Sequence, residues 1–234
     1  ISDLDYIRLE DNELAIGALT RHSTAASSDL VRENCPLMAA AYGYIAHKAV
    51  RNRGTVGGNV CHADPASENP AVAIASQAKM VLRNSNGERR IAADDFFIGL
   101  YETSANQNEL LTEIRIPQAK SNQGFSFQEV SARKGDFAIV CVAASIEIEN
   151  GTCSEARIVA SGVGEKATRL TTAEEAIKNS PADSTSINLA ANEARTFIDP
   201  PSDFHADSEY RKDLAFTLTK RALEEASEQC RRGK

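Results

Sequence analysis

The chain has 234 residues, of which 42% are hydrophobic and 25% charged, and it carries a formal net charge of −7 at pH 7. That length and mix can bury one large core or two small ones, while the acidic balance gives no counterion-release attraction to nucleic acid. No apolar run approaches the roughly 20 residues a bilayer span needs, so no membrane-crossing segment is expected. The five cysteines, Cys35, Cys61, Cys141, Cys153 and Cys230, form no Cys-x-x-Cys pair. This argues against an iron–sulfur cluster or zinc site on this chain and fits a reducing, cytoplasmic setting.

The chain opens at Ile1, directly ahead of an apparent strand, which reads as a start inside a domain. Tyr6 to Leu9 and Glu13 to Gly17 form strand-like runs around Asp11-Asn12, a hairpin with a polar turn. Ser27 to Glu33 reads as a short helix. Leu37 to Ala46 is alanine-rich and apolar all round, a buried helix. After a glycine-rich stretch, Pro70 to Ala78 reads as a helix with proline in its first turn. Lys79 to Arg83 and Glu88 to Ala92 flank a second hairpin turn, Asp94 to Phe97 forms a helical turn, and Leu110 to Ile116 forms a strand. Residues 118–123 are polar and lack periodicity, which places a boundary between a lobe at 1–118 and another at 119–234. Beyond it, Phe125 to Ser131, Ala138 to Glu149 and Ser154 to Gly162 read as strands, the last two joined by Asn150-Gly151. Thr172 to Asn179, Ser186 to Phe197 and Ser208 to Gln229 read as helices. Strands followed by helices predict an α+β lobe, an antiparallel sheet covered by helices on one face.

The least ordinary stretch is Arg51-Asn52-Arg53-Gly54-Thr55-Val56-Gly57-Gly58-Asn59, continuing to Asp64-Pro65. Adjacent glycines let a ligand approach the backbone closely, and a loop of this kind can offer amides to a diphosphate. Asp64 reads as a loop-closing residue bonded to nearby backbone, and His62 as structural. Arg51 and Arg53 face phosphate, a partner or solvent. Gly162-Val163-Gly164 lacks the third glycine of a dinucleotide motif and reads as a turn. The four histidines form no metal-binding pattern, so no metal site is expected.

The Arg51 to Pro65 string resembles the second FAD-binding motif of the xanthine dehydrogenase and aerobic carbon monoxide dehydrogenase flavoproteins. The resemblance extends to Ala15-Ile16-Gly17-Ala18, to Ala66 through Pro70, to Phe96-Phe97 with Gly99, Tyr101 and Thr103, and to Glu109 through Pro117. It continues in Phe127 and Glu129-Val130, in Arg133 with Gly135-Asp136-Phe137-Ala138, in Tyr210-Arg211, and in Arg221-Ala222-Leu223. Nearly the whole chain is covered in the family's order.

The resemblance implies a partial FAD-binding lobe of the vanillyl-alcohol-oxidase-like type followed by a C-terminal flavoprotein lobe. It implies that Thr55, Val56, Gly57, Gly58 and Asn59 wrap the FAD diphosphate and that Glu68 bonds cofactor hydroxyls. Leu111 is expected to pack near the adenine end and Phe137 against the isoalloxazine ring. No side chain here is expected to act as a catalytic acid or base. Molybdopterin and [2Fe–2S] clusters are expected on partner chains, a large and a small subunit, with this chain passing electrons through FAD to an external acceptor. The family's first flavin loop lies upstream of the segment resembling Ile1, so half of the diphosphate cradle is expected to be missing here. Two alternatives stay open: a stand-alone oxidase of the vanillyl-alcohol-oxidase type, and a flavin-less assembly module.

Overall fold

The computed structural model describes residues 1–232. Strands β1 (Ile7–Glu10) and β2 (Glu13–Gly17) form the first hairpin. Its turn residues Asp11 and Asn12 have φ of 53° and 60°, the left-handed values that a two-residue hairpin turn needs and that Asp and Asn tolerate. The single helix expected over Ser27 to Glu33 is instead two, α1 (His22–Ser27) and α2 (Asp29–Asn34). Extended Ser28 divides them and caps α2, its Oγ accepting from Val31 N at 3.4 Å. Helix α3 (Pro36–Ala41) stops short of the expected Ala46. The chain turns there, with Ala46 at φ 48°, and Arg51 Nη1 donates to the Ile45 and Ala46 carbonyls at 2.7 and 2.6 Å. A charged donor thus satisfies backbone acceptors that a continued helix would have used.

Helices α4 (Lys48–Arg51), α5 (Val56–His62) and α6 (Glu68–Ala75) follow. Every residue of α6 is buried, because it lies between the two lobes. Its Pro70 sits within the first turn, where the missing amide has no intrahelical partner to lose. Next come β3 (Lys79–Asn84), β4 (Gly87–Ala92), α7 (Ala93–Phe96) and the small β5 (Phe97–Gly99) and β6 (Glu102–Thr103) pair. Strand β7 (Leu110–Pro117) then inserts between the two hairpins, giving the antiparallel order β1-β2-β7-β3-β4. It is buried without a break from Leu111 to Ile116, as a central strand must be.

The second lobe is a meander of β8 (Gln123–Ser131), β9 (Ala138–Glu149), β10 (Thr152–Ser161) and β11 (Thr168–Arg169), in the order β11-β10-β9-β8. Helices α8 (Thr171–Ile177), α9 (Ser184–Phe197) and α10 (Ser208–Arg232) follow it. Asp183 caps α9, its Oδ1 accepting from the Thr185 and Ser186 amides at 3.1 and 3.0 Å. Helix α10 buries Leu214, Ala215, Leu218, Ala222, Leu223 and Ala226, a helical stripe whose small members let it lie close to the sheet. At Gly124 of β8 an added Cβ would stand 1.9 Å from the Ala226 carbonyl oxygen, so only glycine fits beneath this helix.

The helices of this lobe cover one face of the sheet, as expected, and its other face packs against the first lobe. Val140, Val142, Ala144 and Ile146 of β9 face the helices, whereas Cys141 and Ala143 join Phe127 in the core shared with the first lobe. That is why β9 is buried almost continuously and does not alternate. The lobes are also tied by Arg157 of β10, whose Nη1 donates to Asp94 Oδ2 at 2.9 Å and to the Ile74 carbonyl at 2.8 Å.

Candidate cofactor-binding site

A cavity of about 1470 Å³ opens between the lobes. The first lobe contributes the start of α1, the α4–α5 junction, the outer face of α5, Asp64 to Ala66, Glu68, and the Leu100-Tyr101 tip between β5 and β6. The second contributes residues 135–139, the end of β10, the 199–205 loop and Arg211. Of the eight residues singled out from sequence, Thr55, Gly58, Asn59, Glu68 and Phe137 line this cavity. Val56 and Gly57 are buried behind the wall. Leu111 is not among the lining residues and lies in the first-lobe core, 4% exposed.

The glycine pair was expected in a loop with free amides; it lies in the first turn of α5, and its amides are taken. Val56 N donates to Thr20 O and Gly57 N to Ala18 O, both at 2.9 Å, and Asn59 N donates to Thr55 O at 3.0 Å. Thr55 is the N-cap, its Oγ1 accepting from Gly58 N at 3.1 Å. The glycines therefore serve by their lack of bulk. A Cβ on Gly57 would stand 2.5 Å from Ala18 Cβ and 2.6 Å from Ala18 O, so glycine seats α5 against the end of β2. Exposed Gly58 leaves the cavity-facing side of α5 flat.

Polar groups flank that flat surface. The Thr55 hydroxyl accepts from Gly58 and keeps its own proton to donate. Asn59 Oδ1 accepts from Ser67 Oγ at 3.0 Å and Asn69 Nδ2 at 2.9 Å. These two donors fix the amide's orientation and leave Asn59 Nδ2 as its donor. Asp64 Oδ1 accepts from Ala66 N at 2.8 Å, the loop-closing role expected of it. His62 stacks obliquely on Tyr101, with ring centroids 5.0 Å apart. His22, buried in the wall, has its pKa lowered to about 4 by burial and by the nearby Arg51 charge, so its ring is neutral at cellular pH. Phe137 is 54% exposed on the opposite, second-lobe side.

Glu68 is 3% exposed. Burial pushes its carboxyl up to about 7, with a further contribution from Asp64. On β8, Glu129 points into the shared core, and both of its oxygens are buried without a hydrogen-bond partner. Burial, then the neighbouring Glu68, pushes it up to about 8. A carboxyl raised above its unfolded value favours folding when protonated. Its contribution is complete below about pH 4.5 and is lost as pH rises through the folded value. The midpoint temperature should therefore fall between pH 5 and pH 9. Glu129→Gln should flatten that slope and raise the midpoint at pH 9 by about 4 °C, corresponding to roughly 1 kcal/mol at this chain length. Thermal unfolding of both proteins across that range checks this; parallel curves would exclude a protonated Glu129.

Sequence reasoning missed the wall supplied by Arg21, Tyr101 and the 199–205 loop. Only Tyr101 carried a signal, as part of the Phe96 to Thr103 motif. The 199–205 loop reaches the cavity because Arg211 reaches across from α10. Its Nη2 donates to Asp203 Oδ2 at 2.7 Å, while Nη1 donates to the Ile139 and Gly162 carbonyls at 2.5 and 2.9 Å.

A long cleft between lobes, with donors along one helix, a buried acid and an aromatic ring on the far side, suits a large cofactor with a flat head and a polar tail, the form of a flavin dinucleotide. Comparison with known proteins bears this out. Residues 1–119 match the FAD binding domain in molybdopterin dehydrogenase, and residues 125–226 match the CO dehydrogenase flavoprotein C-terminal domain. The chain is 36% identical to the 6-hydroxypseudooxynicotine dehydrogenase complex subunit alpha of Paenarthrobacter nicotinovorans, over 99% of this chain and 78% of that protein. It is 34% identical to the carbon monoxide dehydrogenase medium chain of Hydrogenophaga pseudoflava, over 98% and 80%. The solved structure of the Hydrogenophaga pseudoflava carbon monoxide dehydrogenase superposes with a TM-score of 0.95 at 36% identity, covering 98% of this chain and 80% of that one. Quinoline 2-oxidoreductase from Pseudomonas putida 86 superposes with a TM-score of 0.92 at 32% identity, covering 97% and 79%. The chain belongs to the FAD-binding subunits of the molybdenum hydroxylases, a family of oxidoreductases. Among the described residues no helix is long and apolar enough to cross a membrane, and no group of side chains could hold a metal ion.

Proposed function

We propose that this chain carries the flavin step of a cytoplasmic molybdenum hydroxylase complex. Electrons arrive from [2Fe–2S] clusters on a small subunit, substrate having been oxidised at a molybdopterin centre on a large subunit. They leave through FAD to an external acceptor. FAD, once bound, supplies the electron-carrying chemistry, and the protein positions and shields it. The observation that carries this reading is the single cavity to which Thr55, Gly58, Asn59 and Glu68 of one lobe and Phe137 of the other all contribute.

In this reading the Thr55 hydroxyl and the Asn59 amide donate to the cofactor's polar tail, and flat Gly58 lets that tail lie against α5. Val56 and Gly57 hold α5 in place from behind. Leu111 supports the sheet beneath from the first-lobe core. Glu68, whether neutral or ionised, keeps an acceptor oxygen for a cofactor hydroxyl. Phe137 covers one side of the isoalloxazine and limits water there. The lobes at 1–118 and 119–234 thus divide the cofactor, the first holding its tail and the second covering its head.

The test compares the complete complex before and after removal of its flavin. Both forms should reduce their iron–sulfur clusters with substrate at equal rates. Only the flavin-loaded form should pass electrons on, at a rate at least about 100-fold above the stripped form. Undiminished transfer without FAD would overturn the assignment.

A further inference from the structure

Most arginines of this acidic chain face a carboxylate: Arg8, Arg89, Arg115, Arg157, Arg169 and Arg211 all do. Arg21 and Arg53 form no ion pair among the described residues, yet both line the cavity. The fold brings them together. Arg21 bridges Thr55 in extended pairing, His22 N donates to Gly54 O at 3.1 Å, and Arg21 Nη1 donates to the Arg53 carbonyl. One guanidinium is therefore anchored on the backbone of the residue that carries the other. Both stand just ahead of α5, whose first turn presents the Thr55 hydroxyl and flat Gly58.

Among the described residues, no carboxylate of the cavity forms an ion pair with either arginine. Asp64 and Glu68 follow the far end of α5, about 10 Å along a helix of this length, and Asp136, Glu165, Asp199 and Asp203 belong to the second lobe. On the first-lobe wall, two cations with no ion pair among the described residues stand just ahead of α5, and the acids Asp64 and Glu68 follow it. Like charges held together without a counter-ion are stabilised when an anion joins them, and a guanidinium binds phosphate oxygens with paired, charge-assisted bonds.

We propose that Arg21 and Arg53 form a two-arginine clamp on the diphosphate of the bound cofactor, selecting FAD over unphosphorylated flavins. This rests on the flavin reading above and adds the group that supplies charge, which the occupied amides of α5 do not. The clamp is a binding device: no bond forms or breaks in it.

The experiment titrates the flavin-stripped complete complex with FAD and with riboflavin, which shares the ring but has no phosphate, and follows flavin fluorescence at low and high salt. Wild type should prefer FAD, and the preference should shrink as salt rises, because the clamp is exposed and screened. Arg53→Gln should weaken FAD about 10-fold and the Arg21→Gln/Arg53→Gln pair about 100-fold, as expected from losing one and two charge-assisted bonds. Riboflavin affinity should stay within about 3-fold of wild type in both variants, and Arg53→Lys should recover part of the FAD affinity. Arg53 makes no side-chain ion pair, so the single variant is a fair test even if the double variant folds poorly. Unchanged FAD affinity, or equal weakening of FAD and riboflavin, would overturn the clamp while leaving the flavin reading intact. A wild-type protein that binds neither ligand would overturn both.

Discussion

Replacing Arg211 with methionine should lower the unfolding midpoint by about 10 °C, a loss of roughly 3–5 kcal/mol. The side chain is 4% exposed and serves three acceptors on separate segments: the Ile139 carbonyl of β9, the Gly162 carbonyl past β10, and the Asp203 carboxylate. Methionine fills similar space but leaves these acceptors without their charged donor, and the penalty for buried unpaired groups exceeds the net value of the bonds themselves. The effect should also reach the cavity. The 199–205 loop loses its anchor to α10, so flavin affinity should fall even at temperatures where the variant is folded. Arg211→Lys should fall between the two, since one ammonium keeps the charge but cannot span all three acceptors. Urea unfolding followed by two probes measures the loss, and a change below about 1 kcal/mol would show that the staple is redundant.

Gly57→Ala should be the second most damaging change, and its contrast with Gly58→Ala is the sharper test. At Gly57 the new methyl meets the Ala18 backbone, including its oxygen at 2.6 Å. Neither partner is a flexible side chain, so α5 must move off the end of β2. Overpacking of this kind costs about 1–3 kcal/mol. It also strains the Gly57 N to Ala18 O bond and carries Thr55, Gly58 and Asn59 away from the cavity. At Gly58 the methyl meets only Thr55 Oγ1, at 2.7 Å, a single side-chain atom whose shift weakens the N-cap bond but moves no backbone. The gain in helix propensity, about 1 kcal/mol, offsets that strain. Gly57→Ala should therefore lower both stability and flavin retention, whereas Gly58→Ala should keep its stability and lose flavin. Thermal unfolding beside a count of flavin retained per chain separates them. Equal behaviour of the two variants would mean that the wall of α5 is not the contact surface.

The difference between these glycines shows what the sequence could and could not reveal. The Arg51 to Asn59 string pointed to residues that line the cavity between the lobes. It did not reveal a helix, because adjacent glycines are poor helix formers, and α5 is held by bonds to Ala18 and Thr20 from a distant part of the chain. Hairpins were plain at Asp11-Asn12 and Asn150-Gly151, where residue chemistry and backbone angle agree. Helix α10 was plain because its buried residues recur at helical spacing. The second-lobe wall was hidden, since the reach of Arg211 to Asp203 and Gly162 is a tertiary event with no local pattern. Glu129 stands in the sequence only as one member of a motif, and burial of its carboxyl emerges once β8 packs against the first lobe.

The place of β7 has a consequence for synthesis of the protein. Glu13 pairs with Pro117, so the opening hairpin waits for about a hundred further residues before its neighbour exists. At ribosomal speeds of about 5–20 residues per second, that is a delay of roughly 5–20 s, during which a strand edge stands bare as the polypeptide emerges. The opening lobe therefore matures late and all at once. Until Leu110 to Pro117 is made, both β2 and β3 lack the neighbour they share.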